Sequence, residues 1–208
     1  MPEINKLVLG KLFTNCFIVR TGNANAIVID PAAEADRISR FLEHNNLKLE
    51  KILLTHGHFD HIEAAPILRE RSGAPIYIGS ADGEMTSDCE KASGNFLSDV
   101  QFNSFEADYF LSEGDSIEQD ELLFTVMETP GHTRGSICYF CDRDVFVGDT
   151  LFYMSVGRTD MYSGDSKAQQ KSLRRLMLLE EDYTVYCGHG DETTLSYEKK
   201  HNPYIRWW

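Results

Sequence analysis

Hydrophobic and polar positions along the chain fall into short apolar runs separated by longer polar ones. TNCFIVR (14–20), NAIVID (25–30), KILLT (51–55), PIYIG (75–79), ELLFTVME (121–128), SICYF (136–140), DVFVG (144–148) and YTVYC (183–187) are short and rich in β-branched or aromatic residues, so each predicts a strand. Two segments keep a helical period instead. ADRISRFLEHNN places Ile38, Phe41 and Leu42 on one face, and DSKAQQKSLRRLMLLEE does so with Leu173, Leu176 and Met177, with Asp165 as its N-cap. This mixed order of strands and helices predicts layered sheets carrying outer helices. From Ala81 to Glu113 the chain is polar, acidic and weakly periodic, punctuated by Phe96, Phe102, Phe105, Tyr109 and Phe110. It predicts irregular helix or an active-site flap, with the aromatics as packing residues. A faint internal echo, AIVID-Pro with DVFVGD-Thr and KILLTHGH with TVYCGHG, suggests a repeated β-rich unit.

Composition narrows the function classes. A chain of 208 residues suits one domain that buries its own core. The 33 acidic against 20 basic residues, a formal charge of -13, argue against nucleic-acid and anionic-membrane partners. The opening MPEINKLVLGKLF is too short and interrupted for a signal peptide, and no apolar stretch reaches spanning length, which points to a cytoplasmic address. Five scattered cysteines do not form a disulfide framework. Cys138 and Cys141 lie in one strand-like run, where positions three apart face opposite sides, so both are expected in the core rather than on a metal.

The candidate chemistry begins at THGHFDHIEAAP (55–66), which packs three of the seven histidines and an aspartate into six consecutive positions. Residues two apart on a helix are turned by about 200°, so His56 and His58 cannot share a helical face, whereas on a loop they can converge. The segment reads as a chelating pair, distinct from the helical H-E-x-x-H arrangement. Asp60 and His61 follow at once, making four donors suited to a borderline divalent cation. Solvated or helix-capping histidines are the plain alternative.

Three other strands end on donors. ELLFTVME runs into TPGHTRGS and His132, DVFVG into Asp149, and YTVYC into GHGD and His189. If those ends share an edge of the fold, His56, His58, Asp60, His61, His132, Asp149 and His189 surround one cleft, enough for two metals with a shared bridge. His44 and His201 follow no strand and read as surface residues.

With T-H-G-H-F-D-H at 55–61, G-H at 131–132, G-D at 148–149, G-H-G at 188–190 and Asp30 in VIDPAAE, the chain resembles the metallo-β-lactamase superfamily. TPGHTRGS, GDTLF, VGRTD and HGDETTLSYEKKHNP make it similar to glyoxalase II-like hydrolases, especially short single-domain members. The resemblance implies an α+β fold, a four-layer αβ/βα sandwich of two mixed β-sheets with outer helices and metals at one edge. It implies one domain over residues 1–208; only 18 residues follow Gly190, so a C-terminal glutathione-binding helical domain is not expected. His56, His58 and His132 would hold one metal, Asp60, His61 and His189 a second, and Asp149 would bridge them. Asp30 would brace the ligand loops, the plain alternative being a strand-end turn residue before Pro31. The implied cofactors are two divalent ions, zinc first, with iron or manganese as alternatives. Such a pair acidifies a bridging water and polarises a carbonyl, which with Asp60 and Asp149 offsetting the metal charge suits hydrolysis of a thioester such as a hydroxyacylglutathione. Arg158 in VGRTD would bind an anionic part of that small molecule, the plain alternative being an ion pair with Asp160. Arg134 departs from the proline common at its place in relatives. Two rivals remain: a one-iron persulfide dioxygenase using His56, His132 and Asp149, and a metal-stabilised binding domain without turnover. Trp207 and Trp208 are expected to pack on the body or on another subunit.

Overall fold

The computed structural model describes residues 2–22, 24–94 and 102–205. Two six-stranded sheets form its centre. The first has the order β1 (Glu3–Leu9), β2 (Thr14–Thr21), β3 (Asn25–Ile29), β4 (Lys48–Leu53), β5 (Ile76–Gly79) and β6 (Tyr109–Leu111). The second comprises β7 (Ser116–Gln119), β8 (Leu122–Glu128), β9 (Ile137–Cys141), β10 (Asp144–Gly148), β13 (Thr184–Cys187) and β14 (Thr193–Thr194), in the order β14-β13-β10-β9-β8-β7. A small hairpin, β11 (Leu151–Phe152) with β12 (Ser155–Val156), follows β10. The helices are α1 (Ala35–His44), α2 (Phe59–Ile62), α3 (Ala65–Ser72), α4 (Cys89–Ser93), α5 (Ser166–Met177) and α6 (Leu195–His201).

Strand alternation divides the apolar side chains into three layers. In β3, Ile27 and Ile29 face the second sheet, where they join Phe17, Val19 and Leu53 against Phe124, Tyr139 and Phe146. Ala26 and Val28 face the other way, with Ile38 and Leu42 of α1 and Leu68 of α3. On the far face of the second sheet, Val145, Val147 and Val185 pack against Leu173 and Leu176 of α5 and Leu195 of α6. Strands covered on both faces read as continuous apolar runs, and these do. The result is the helix–sheet–sheet–helix sandwich expected from the sequence.

All eight predicted strands and both predicted helices form, with ends that match or are shifted by up to four residues. Asp165 caps α5, its carboxylate accepting from the amides of Lys167 and Ala168. Cys138 lies in the outer layer and Cys141 between the sheets, as their odd spacing requires. The acidic stretch after β5 contains a 3-10 helix (Ser80–Thr86), α4 and β6. Its aromatics divide: Phe105 is buried with Phe102 packed nearby, whereas Tyr109 and Phe110 are half exposed on the edge strand, Tyr109 stacked on Tyr77 at 4.6 Å and Phe110 lying against Gly83. Phe96, Trp207 and Trp208 lie outside the described residues. No helix among the described residues is long and apolar enough to cross a membrane.

Candidate metal centre

The strand ends do share an edge, because β3 and β4 run parallel in one sheet and β10 and β13 run parallel in the other. The chain leaves β4 through Leu54 and Thr55 into the histidine loop, whose end winds into α2. His58 precedes the helix while Asp60 and His61 lie inside it, so a single turn aims all three toward the same side as His56. His56, His58 and His61 are buried.

Asp30 holds this loop. Its Oδ1 accepts from the Thr55 amide (2.8 Å), and its Oδ2 accepts from the Thr55 hydroxyl (2.7 Å) and lies 2.9 Å from His61 Nδ1. The same logic orients two other rings. His132 Nδ1 lies 2.7 Å from the Arg158 carbonyl, and His189 Nδ1 lies 3.1 Å from the Leu12 carbonyl. A ring that donates through Nδ1 presents a lone pair at Nε2, the form a metal requires.

The donor atoms gather accordingly. Those of His56, His58 and His132 lie within 4.8 Å of one another, as do those of Asp60, His61 and His189. A third such set, Asp30 with His56 and His61, shares its histidines with these two, and its carboxylate is already held by Thr55. Asp149 stands between the first two sets: Oδ1 is 3.3 Å from His61 Nε2, and Oδ2 is 3.5 Å from both His132 Nε2 and His189 Nε2. Asp60 Oδ2 lies 3.3 Å from His189 Nε2 and accepts from the Thr14 hydroxyl at 2.9 Å. All seven predicted donors thus converge, while His44 and His201 stand exposed elsewhere.

The arrangement fits a metal pair. Nε2 of His56 and of His61 and Oδ1 of Asp149 are buried without a hydrogen-bond partner among the described residues. Native interiors rarely leave such atoms unmatched, and each belongs to a set of convergent donors. Electrostatics separates the sets. Burial pushes His56 well below the ordinary histidine value and His58 down to about 3, with nearby histidines adding to both. Burial also works to lower His61 and His189, but the carboxylates outweigh it: Asp60, Asp149 and Asp30 raise His61 well above its usual value, and Asp149 and Asp60 raise His189 to about 9. For Asp149, burial is outweighed chiefly by His61, which holds its carboxyl well below the usual range.

Close approach at the turns leaves no room for side chains. A Cβ on Gly188 would stand 2.2 Å from Asp149 Oδ1 and 2.7 Å from His61 Cε1. Gly148 has φ +50° and a Cβ there would stand 2.2 Å from Thr55 Oγ1, so the residue before Asp149 suits glycine on both counts.

The donors line a cleft of about 530 Å³ whose walls include Leu12, Phe59, Phe152, Val156 and Met161. Arg158 also lines it, with Nε and Nη2 on Asp160 at 2.6 and 2.8 Å, the ion pair weighed as its alternative role. Arg134 has a structural account: its amide donates to Ser163 Oγ at 3.1 Å, a bond that proline could not make, and its Nε donates to the Ala81 carbonyl at 3.1 Å.

Three residues that position the site were missed in the sequence. Thr14 holds Asp60, and Asn15 Nδ2 donates to the carbonyls of Cys187 and Gly190 at 2.9 Å each, fastening the His189 turn to β2. The third, Asp82, is fully buried beneath the ligand loops. No spacing signal marks any of them.

The comparisons agree with this geometry. The family model of the metallo-β-lactamase superfamily matches residues 9–189, and the chain belongs to that superfamily. It is 33% identical over 195 residues to the hydroxyacylglutathione hydrolase GloC of Haemophilus influenzae, covering 92% of each chain. Among solved structures, the B3 metallo-β-lactamase BLEG-1 is similar at a TM-score of 0.93 and 31% identity, with 98% of this chain and 100% of that one covered. A second, TTHA1623 in a di-iron-bound form, is similar at 0.86 and 33% identity, covering 96% and 99%.

Proposed function

We propose that the protein is a two-metal hydrolase of thioesters of the hydroxyacylglutathione kind. The observation that carries this reading is the convergence of seven donors from four loops on one cleft, with buried donor atoms of His56, His61 and Asp149 unmatched among the described residues. The likeness to a hydroxyacylglutathione hydrolase over nearly the whole chain supports the substrate class. In this reading His56, His58 and His132 would hold one ion and Asp60, His61 and His189 the other, with Asp149 available to both. Two divalent ions there would supply carbonyl polarisation and acidification of a water; zinc is the proposed metal, with iron and manganese as alternatives.

The chain's own groups do the rest. Asp60 and Asp149 offset part of the cationic charge, so the cleft remains hospitable to an anionic substrate without excess attraction. Thr14 keeps Asp60 turned inward through its hydroxyl. Phe59, Phe152 and Met161 exclude bulk water from the reacting carbonyl, which strengthens every electrostatic contact within the cleft. Arg158, held at the rim by Asp160, is the proposed contact for a carboxylate of the thiol carrier.

The test joins elemental analysis of natively purified protein to turnover of S-lactoylglutathione. About two ions per chain and thioester cleavage are expected, with His58→Ala and His61→Ala each lowering kcat at least about a hundredfold. A one-iron dioxygenase built on His56, His132 and Asp149 would use neither residue as a ligand. Near-normal activity in both variants, or oxygen uptake with a persulfide in place of thioester cleavage, overturns the reading.

A further inference from the structure

Two buried carboxylates touch the ligand loops, and they touch different parts. Asp30 reaches Thr55 and His61. Asp82, on the 3-10 helix Ser80–Thr86, reaches the other side. Its Oδ2 accepts from the Gly57 amide at 2.9 Å and from the Thr133 hydroxyl at 2.6 Å, and its Oδ1 accepts from the Gly135 amide at 2.8 Å. Gly57 sits between His56 and His58, and Thr133 follows His132. One carboxylate therefore ties together the two loops that bring His56, His58 and His132 to a common point, loops separated by some seventy residues of chain.

The fit around Asp82 is close. A Cβ on Gly57 would lie 2.6 Å from Met85 Cβ, and one on Gly135 would lie 2.3 Å from the Asp82 amide nitrogen and 2.6 Å from its Oδ1. The 3-10 helix thus rests against both turns, and its carboxylate cannot shift without dragging a loop. Only an acceptor with two oxygens answers three donors here. In a carboxamide one oxygen becomes an NH2 group, which then faces at least one N–H or O–H donor in a buried site.

We infer that Asp82 is a positioning residue dedicated to the His56–His58–His132 set, whereas Asp30, which holds Thr55 beside His56 as well as His61, braces both sets. The three-histidine set can therefore be loosened by itself through Asp82. The inference rests on the ligand assignment proposed above. Bracing partners of metal ligands typically govern metal affinity by factors of about 10–100, which sets the scale of the expected effect.

The experiment is stepwise zinc titration of metal-stripped full-length protein against a competing chelator, with 15N-histidine spectra showing which rings respond at each step. Asp82→Asn is expected to weaken zinc about 10- to 100-fold at the His56–His58–His132 set while the His61 and His189 rings fill as in wild type. Asp30→Asn, which releases Thr55 beside His56 as well as His61, is expected to weaken both sets and serves as the non-selective control. Thr133→Val, which removes one of the three donors without disturbing charge, is expected to weaken the same set as Asp82→Asn by a smaller factor; it serves as the readable variant if Asp82→Asn does not fold. Equal weakening of both sets by Asp82→Asn, or no change in either, overturns the inference, because a merely structural carboxylate has no reason to discriminate between them. Wild-type protein that takes up one ion on the three-histidine set would overturn the two-metal reading alone, and the effect of Asp82→Asn on that ion would still decide this inference.

Discussion

His58 and His189 differ in what surrounds them more than in how deeply they sit. His58 is buried beside other histidines and is pushed down to about 3, so it is neutral throughout the neutral range. His189 loses some basicity to burial, yet Asp149 and Asp60 overcome that loss and raise it to about 9. Without metal, His56 and His58 are thus already in their coordinating form, whereas His189 is an imidazolium between carboxylates. The consequence for stability has a definite sign. A pKa raised in the folded state stabilises fully below the unfolded value near 6.5 and loses that contribution as pH climbs through about 9. In chelator, the melting temperature of wild type should exceed that of His189→Gln most at pH of about 6, with the gap closing by about pH 10. A gap that stays constant over that range would show that the ring carries no extra proton. The seven donors were legible in the sequence because each follows a strand and because His56-x-His58 has no ordinary helical explanation. Asp82, Thr14 and Asn15 were not legible: a short polar residue acquires such a role only from what lies across the fold.

At the scale of elements, the site is assembled from strand ends and the turns that leave them. Short apolar runs rich in β-branched and aromatic residues expose strands to a reader directly, which is why β2 to β5, β8 to β10 and β13 could be placed within a few residues. Helix α3 escaped because it buries little besides Ala65 and Leu68, so it shows almost no apolar stripe. The 3-10 helix and α4 were expected only as irregular helix without bounds, being too short to show a period. The turn after β13 offers a direct test of how tightly elements meet. Gly188 has ordinary backbone angles, so an alanine there is opposed only by space, and that space is occupied by Asp149 and His61. Gly188→Ala should therefore displace Asp149 from both donor sets. The expected results are loss of at least one bound metal by elemental analysis and a destabilisation of about 1–3 kcal/mol in urea, the usual range for overpacking. Retention of both ions with unchanged stability would mean that the turn moves freely, contrary to its packing.

On the scale of the whole molecule, the faint echo in the sequence has a counterpart in topology. In the first sheet β1, β2 and β3 pair antiparallel in succession and β3 then pairs parallel with β4; in the second, β8, β9 and β10 do the same and β10 pairs parallel with β13. Asp30 and Asp149 follow corresponding strands, as do His56 and His189. One aspartate became a brace and the other faces the donors. Each donor set draws from both halves: His56 and His58 with His132, Asp60 and His61 with His189. Bound metal would accordingly fasten one half to the other at the edge, while the apolar layer around Phe17, Leu53, Phe124 and Phe146 joins them through the middle. Because a ligand that binds only the folded state stabilises it by mass action, free metal at about a hundred times its dissociation constant contributes about 2.7 kcal/mol per site. Stripping the metal should lower the urea midpoint by an amount matching that contribution while leaving far-UV dichroism unchanged before the transition, since the apolar layer persists. Adding metal back should restore the midpoint in proportion to the logarithm of its free concentration. A midpoint indifferent to metal would show that the donors from the two halves do not grip a common ion in the folded protein.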